Sequence, residues 1–173
     1  MIQKIILFSS CIGLLFSCEQ EPEESLKTPD WSVSHSTTMN EQFTREDEIN
    51  IRLYLSRREN WDVKSTGSGL RYWIYEDKEG PTAQGGDRVD VKFQVKMLND
   101  SLLYQTEGNE VSTFKVDRSD IETGVMEGIK YLSEGDKAKL IIPSHIGHGL
   151  LGDFNKIPPL VVLVIDLELV KIY

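Results

Sequence analysis

The sequence predicts an α+β fold, in which an antiparallel sheet of five or six strands wraps around one short helix and a helical extension precedes the sheet. Most segments after Gly69 alternate apolar and polar residues, which is the period of a half-buried strand. One segment, 119–132, instead repeats its apolar residues at helical spacing. The chain has 173 residues, enough for about one ordinary domain.

Composition excludes several classes of function. The formal net charge is −9, from 19 basic and 28 acidic side chains. This acidity argues against a nucleic-acid partner, because phosphates require a basic surface. The two cysteines, Cys11 and Cys18, lie near the N-terminus. The rest of the chain therefore has no cysteine for a disulfide, a thiolate metal site or thiol chemistry.

Residues 1–17 have the character of an export signal. Lys4 precedes an apolar run from Ile5 to Phe16, which is shorter than the about 20 residues of a membrane-spanning helix. The run ends in Leu15-Phe16-Ser17-Cys18, which resembles the lipobox of bacterial lipoproteins. That resemblance implies cleavage after residue 17 and lipidation of Cys18, which would anchor the chain to a membrane. An ordinary cleaved signal peptide with an incidental cysteine is the alternative.

Residues 18–39 are predicted to form a lipidated, acidic tether. The stretch from Glu19 to Ser25 has no apolar side chain except Pro22 and carries like charges, so we expect it to stay extended. Acidic runs after a lipidated cysteine also resemble signals that send some lipoproteins to the outer face of the outer membrane. A solvated spacer is the other interpretation. Residues 34–38 are polar and predicted to be turn-rich.

A helix is predicted within residues 40–66. Thr44-Arg45-Glu46-Asp47 has the pattern of a capping box, and its acidic residues suit the dipole of a first turn. Apolar side chains follow as far as about Arg58: Ile49, Ile51, Leu53, Tyr54 and Leu55. A solvated helix would not tolerate this surface, so we expect the helix, with Trp61, to pack on the domain or to form a homodimer. Ser65 to Gly69 then breaks the pattern, which gives a main domain of 67–173.

The main domain contains six segments with strand character. They are Leu70 to Tyr75, Val89 to Met97, Leu102 to Thr106, Thr113 to Val116, Lys137 to Ile142 and Val161 to Lys171. In the last segment Asp166 lies opposite the apolar stripe. Ile121, Val125, Ile129 and Leu132 predict a helix from about Ser119 to Leu132.

Three groups of residues are more specific than this pattern. They are Phe114-x-Val116 with Ile121-Glu122-x-Gly124 and Glu127-Gly128; Gly135 to Pro143 with His148-Gly149; and Ile157-Pro158-Pro159 with Leu163 to Leu169. In order and spacing they resemble FKBP-type peptidyl-prolyl cis-trans isomerases, over residues 67–173. Within that family, Ile142-Pro143-Ser144-His145 and the sequence Gly-Leu-Leu-Gly-Asp at 149–153 resemble envelope lipoproteins of the gliding-motility-associated branch.

The activity implied by this resemblance is rotation about the bond before a proline, whose barrier is about 18–20 kcal/mol. An apolar, water-poor pocket favours the twisted imide, and one or two donors hold the neighbouring carbonyl. An acceleration of about a million-fold corresponds to about 8 kcal/mol of differential binding. No covalent step is required, so we expect neither a cofactor nor a metal.

The resemblance also implies which residues form the pocket. Those expected to act on the proline are Phe93, Tyr104, Ile121, Val125, His148 and Ile165. Those expected to contact the rest of the substrate are Gln105, Phe114, Glu122 and Ile157, with a backbone group of Ile121 or Glu122 holding the ligand. Four positions lack the family's aromatic ring: Ser112, Val125, His148 and Ile165. We therefore expect a wider and softer pocket. Plain core packing is the alternative for Phe93, Ile121, Val125 and Ile165.

Two histidines required a separate interpretation. His145, His148 and Asp153 could mimic a metal site, but no helix enforces their spacing and a fourth ligand is missing. We expect His148 to supply a hydrogen bond at the pocket rim instead.

Two hypotheses about function follow. The first is an isomerase, anchored in the cell envelope through Cys18 at the outer membrane, that helps proline-containing exported proteins to fold. The second is a catalytically weak module that acts as a chaperone or as a subunit of a motility or secretion complex. The lost rings favour the second hypothesis, whereas the glycine-rich loop that contains His148 and the Ile157-Pro158-Pro159 segment favour the first.

Overall fold

Seven antiparallel strands and two helices form the fold of residues 33–173, the part of the chain that the computed structural model describes. The elements are α1 (Val33–Leu55), β1 (Lys64–Ser65), β2 (Arg71–Glu76), β3 (Arg88–Met97), β4 (Leu102–Gln105), β5 (Ser112–Lys115), α2 (Thr123–Ile129), β6 (Lys137–Ile142) and β7 (Leu163–Ile172). A turn of 3-10 helix, Ser144–Ile146, follows β6. The predicted export signal, Cys18 and the acidic run lie outside the described residues.

The strands form one sheet in the order β1-β2-β6-β7-β3-β4, and β5 also pairs with β3. The two long strands β3 and β7 lie side by side at the centre, with Phe93 opposite Leu167. The predicted fold class is confirmed. The additional strand, β1, has only two residues, which is too short for an alternating pattern to be visible in the sequence.

The main core lies between the sheet and α2. Alternate side chains of β3, β6 and β7 are buried with Ile129 of α2. Two glycines of the predicted motif let α2 approach β6: a Cβ atom on Gly124 would lie 2.5 Å from Ile142, and one on Gly128 would lie 2.7 Å from Leu140. The helix is shorter than predicted, because the flanking apolar residues pack on the core from loops rather than from further helical turns.

Helix α1 begins earlier than the sequence indicated, at Val33 rather than at Thr44. The residues predicted to be turn-rich are part of the helix. Thr44, predicted to cap its start, lies inside it, and its Oγ1 donates a 2.9 Å hydrogen bond to the carbonyl of Asn40. A threonine hydroxyl can satisfy a helical carbonyl as well as an N-terminal amide, so the capping-box pattern did not locate the start.

The second half of α1 packs on the sheet face opposite α2. Ile51 and Tyr54 are buried against Ile141, Val162 and Val164, and Trp61 joins this cluster as expected. Two residues of the predicted apolar surface, Ile49 and Leu53, point away from the sheet and are 51 % and 56 % exposed.

A buried carboxylate fixes this docking. Asp47 is 5 % exposed, and its Oδ2 accepts hydrogen bonds from the backbone N–H and the hydroxyl of Ser144, at 2.8 and 2.7 Å. Glu48 forms an ion pair with Arg71 of β2 at 2.7 Å. Within residues 33–173 no helix is both long enough and apolar enough to span a bilayer.

Candidate active site

An apolar cavity of about 320 Å³ opens between the central strands and the start of α2. All ten residues that the sequence singled out for the pocket line it: Phe93, Tyr104, Gln105, Phe114, Ile121, Glu122, Val125, His148, Ile157 and Ile165. Ser112 lines it too. The structure thus brings together residues from three strands before α2, from α2 and the segment before it, from the loop after β6, and from β7.

The walls of the cavity are side chains whose positions follow from the strand period. Phe93 of β3 and Ile165 of β7 point to the same side of the sheet as the core and contact it. Val125 lies in the first turn of α2 and is 6 % exposed. The lining also includes Val91, Val95 and Leu167, which the sequence marked as strand residues but not as pocket residues. The lining of the cavity is therefore mostly apolar, as in many ligand-binding pockets.

The register of β3 and β4 explains how Tyr104 and Gln105 reach the cavity. Val95 lies opposite Tyr104, whereas the next residue, Lys96, lies opposite Leu102. Leu103 is therefore an extra residue, a bulge in β4.

Asp153 links the loop after β6 to β4 at the rim. One of its carboxylate oxygens accepts the hydroxyl of Tyr104. The other accepts the backbone N–H groups of Asn155 at 2.9 Å and Ile157 at 2.7 Å. The side-chain amide of Asn155 also donates to the Tyr104 oxygen at 3.2 Å. The sequence indicates Asp153 only as a possible metal ligand and does not predict these hydrogen bonds.

These contacts stabilise the ionised form of Asp153 and the protonated form of Tyr104. Burial raises the pKa of Asp153, but the hydrogen bonds from Tyr104, Asn155 and Ile157, together with nearby His148, outweigh it and lower the pKa to about 2. The hydrogen bond to Asp153, with burial, raises the pKa of the Tyr104 hydroxyl. At neutral pH the carboxylate is ionised and the phenol is protonated.

His148 and Glu122 form a second link across the rim, with 2.5 Å between Nε2 and Oε1. His145 lies elsewhere, where its Nε2 contacts the carbonyl of Ser68 at 2.9 Å. The three residues that could mimic a metal site thus have separate partners. Within residues 33–173, no three His, Cys, Asp or Glu side chains are grouped so that they could hold a metal ion.

Two backbone donors lie at the same rim. Within the described part of the chain, the N–H groups of Ile121 and Glu122 donate to no acceptor, while the carbonyl of Glu122 accepts from the first turn of α2. A free N–H beside an apolar cavity can hold a carbonyl of a bound ligand.

Comparison with known proteins decides the family. A profile described as FKBP-type peptidyl-prolyl cis-trans isomerase matches residues 80–170. The chain belongs to this family. A probable isomerase FkpA of Neisseria meningitidis is 34 % identical over 111 residues, which cover 64 % of this chain and 40 % of that protein. FkpA of Buchnera aphidicola is 26 % identical over 162 residues, which cover 92 % of this chain and 66 % of that protein.

Solved structures agree on the fold. A peptidyl-prolyl isomerase of Pseudomonas syringae superposes with a TM-score of 0.63 at 21 % identity, covering 76 % of this chain and 94 % of that one. The crystal structure of FkpA from Escherichia coli superposes with a TM-score of 0.59 at 24 % identity, covering 84 % and 74 %. The FKBP-like fold is thus confirmed. The matches to these two curated FKBP relatives span between 40 % and 66 % of their length.

Proposed function

We propose that the chain is a peptidyl-prolyl cis-trans isomerase that binds proline-containing polypeptides in this cavity and assists the folding of exported proteins. One observation carries the proposal: in a member of the FKBP family, the apolar cavity is bordered by unused backbone donors at Ile121 and Glu122. The relatives named above are described as isomerases of this type.

The proposed mechanism uses desolvation rather than covalent chemistry. Phe93, Val125 and Ile165 surround the proline ring and remove water from the preceding carbonyl. A twisted imide has lost its resonance and is less polar than the planar form, so it gains relative to the ground state in this environment. The backbone N–H of Ile121 or Glu122 holds the neighbouring carbonyl while the bond rotates. Tyr104 closes one side, positioned by Asp153.

A refolding assay tests this function. The chain from Glu19 onward is added in catalytic amounts to an unfolded protein whose refolding is limited by proline isomerisation, which takes tens of seconds unaided. The proposal predicts a refolding rate that increases with the amount of added chain. No acceleration of any proline-limited step would contradict it.

A specific observation favours the second candidate, a catalytically weak chaperone or complex subunit. The cavity is lined by Ser112, Val125, His148 and Ile165, at the four positions where the family resemblance implies aromatic rings. Fewer ring contacts hold the proline less firmly. Binding of a proline peptide to the cavity without acceleration in the refolding assay would support this candidate.

We also propose that Cys18 is lipidated and anchors the chain in the cell envelope, at the outer membrane facing the periplasm or the cell surface. The support is the Leu15-Phe16-Ser17-Cys18 junction and, within the family, the resemblance to the gliding-motility-associated branch. Several acyl chains on one cysteine would make the anchoring stable. Radiolabelled palmitate should enter the wild-type protein and not Cys18→Ala. Label that persists in Cys18→Ala would refute the assignment.

The outward face of α1 supports a further proposal, a homodimer through this helix. Met39, Ile49 and Leu53 are 37 %, 51 % and 56 % exposed, and they stand on the part of α1 that the sheet does not cover. Light scattering should give twice the chain mass, and a variant with Ile49→Gln and Leu53→Gln should be monomeric. A wild-type chain that is monomeric at high concentration would contradict the proposal.

A further inference from the structure

The loop after β6 displays an apolar surface next to the cavity. Leu150, Leu151 and Phe154 are 58 %, 64 % and 85 % exposed. Among the large apolar side chains of residues 36–173 these three are the most exposed, and they lie within five positions of one another. We call them the loop-tip patch. Single exposed apolar residues are ordinary, but a cluster of this kind marks an interaction site.

The loop-tip patch is continuous with the cavity. Asp153, between Leu151 and Phe154, lines the cavity, and so do His148 before the patch and Ile157 after it. The patch therefore borders the cavity on the side of this loop, where it can meet a polypeptide that is already bound there.

The loop is held in place by its own hydrogen bonds. The N–H of Leu160 donates to the carbonyl of Gly149 at 2.9 Å, and the N–H of Asp153 donates to the carbonyl of Ile157 at 3.1 Å. Asp153 also accepts the Tyr104 hydroxyl. A Cβ atom on Gly152 would lie 2.1 Å from the Ile157 carbonyl oxygen, so this turn closes only around a glycine.

Phe154 stands out within this loop. Its φ of 58° lies in the left-handed region, where a bulky side chain costs free energy. The fold nevertheless holds the ring outward, where water surrounds it. A rigid, exposed apolar surface loses little conformational entropy when a ligand covers it, so it is suited to binding.

We propose that the loop-tip patch is a second binding surface for the polypeptide whose proline occupies the cavity, and that it takes apolar side chains of an unfolded segment close to that proline. The inference rests on the proposed function, because its occupant arrives through the same cavity. Unfolded chains expose apolar side chains in extended sequence, whereas folded proteins bury them. The surface would thus direct the isomerase toward unfolded substrates.

Two peptides and three forms of the full chain test this inference. The peptides are a twelve-residue peptide centred on Leu-Pro with Leu and Phe at flanking positions, and the same peptide with Ser at those positions. The loop variant carries Leu150→Gln, Leu151→Gln and Phe154→Asn, since Asn tolerates a left-handed conformation and preserves the turn. The control variant removes three exposed apolar side chains from α1: Met39→Gln, Ile49→Gln and Leu53→Gln.

Affinity is measured by fluorescence anisotropy, at a concentration where light scattering gives all three proteins the same mass. The wild type should bind the Leu/Phe-flanked peptide at least about fivefold more tightly than the Ser-flanked one. The loop variant should lose this ratio and the control variant should keep it. The inference would be overturned if the wild type bound both peptides with equal affinity, or if the loop variant kept the same affinity ratio as the wild type.

Other occupants would give other results. If the loop variant keeps the peptide ratio but no longer associates with a second copy or with phosphatidylglycerol vesicles, the patch is covered by that partner and the inference is wrong. Failure of the proposed function is separate, because binding is read without catalysis. If the wild type shows the affinity ratio but accelerates no proline-limited step, the inference about this surface stands and the proposed isomerase activity is contradicted.

Discussion

At the rim of the cavity, the phenol of Tyr104 and the carboxylate of Asp153 join two segments that lie 49 residues apart. The carboxylate belongs to the loop after β6, whereas the phenol belongs to β4. It serves Tyr104 and two backbone N–H groups together, so one residue holds both a wall of the cavity and the shape of the loop.

Replacing Asp153 with Asn should lower the stability of the protein in a pH-dependent way. The folded-state pKa of about 2 lies below the ordinary value of 3.8, so the carboxylate contributes stability that is complete above about pH 4 and is lost as the pH falls through 2. The urea midpoint of Asp153→Asn should therefore lie below the wild-type midpoint by the same amount at pH 7 and pH 5. At pH 3 the difference should be smaller.

The matched control for this measurement is Asp120→Asn, because Asp120 is an exposed carboxylate in the loop before α2. It should leave the midpoint nearly unchanged at all three pH values. A difference for Asp153→Asn that grows toward pH 3 would show that the carboxylate is not the stabilising form.

Val125 provides a test of the reduced aromatic lining. It is buried and lines the cavity, at one of the four positions where the family resemblance implies an aromatic ring. A flat ring in this position would contact the proline and should raise kcat/KM for a Leu-Pro peptide in Val125→Trp, although overpacking can cost about 1–3 kcal/mol of stability. Val125→Ile, which adds volume without a ring, is the control. Equal activity of wild type and Val125→Trp would indicate that the lost ring is not what limits the reaction.

The residue-level predictions depended on the resemblance as well as on the pattern. Strand alternation marks Phe93 and Ile165 as inward-facing, but it cannot separate a pocket wall from core, and only the family motifs made that distinction. The link between Asp153 and Tyr104 could not be predicted, because their contact depends on how a loop folds back over β4 and no local spacing encodes it.

At the scale of elements, the docking of α1 could also be predicted only in part. The apolar residues of the helix predicted that it packs, but not which side does so. The docked side carries Asp47, Ile51 and Tyr54 at spacings of four and three, and the decisive partner of Asp47 is Ser144, 97 residues later. An acidic residue in an apolar face looks like an interruption until its distant donor is known.

Ile51 and Leu53 make a matched pair for testing this docking. Ile51 is 1 % exposed and Leu53 is 56 % exposed on the same helix. Ile51→Ala should lower the free energy of unfolding by about 2–5 kcal/mol, because it removes buried methyl groups and leaves a cavity. Leu53→Ala should change it by less than about 0.5 kcal/mol. Urea denaturation of a chain kept monomeric by dilution measures both, and similar losses would mean that α1 does not dock through this face.

At the scale of the whole molecule, two contacts form the cavity. Helix α2 lies close to β6, and the loop after β6 is joined to β4 by the hydrogen bond between Asp153 and Tyr104. The sheet, its central long strands and the single inner helix were predictable from period and length. Helix α1 begins earlier than predicted, because Thr44 bonds to a carbonyl within the helix instead of capping its start. Strand β1 could not be predicted, because two residues are too few to show an alternating pattern.

The central claim is that this cavity rotates prolyl bonds, and exchange NMR on a Leu-Pro peptide tests it most directly. The free peptide interconverts in tens of seconds, too slowly for exchange cross-peaks between its cis and trans signals. A catalytic amount of the wild-type chain should produce those cross-peaks. Phe93→Ala removes the wall that shields the twisted imide and should abolish them, whereas Lys171→Ala, an exposed change on the far part of β7, should not. Cross-peaks of equal intensity with wild type and Phe93→Ala would contradict the claim, and so would their absence with the wild type.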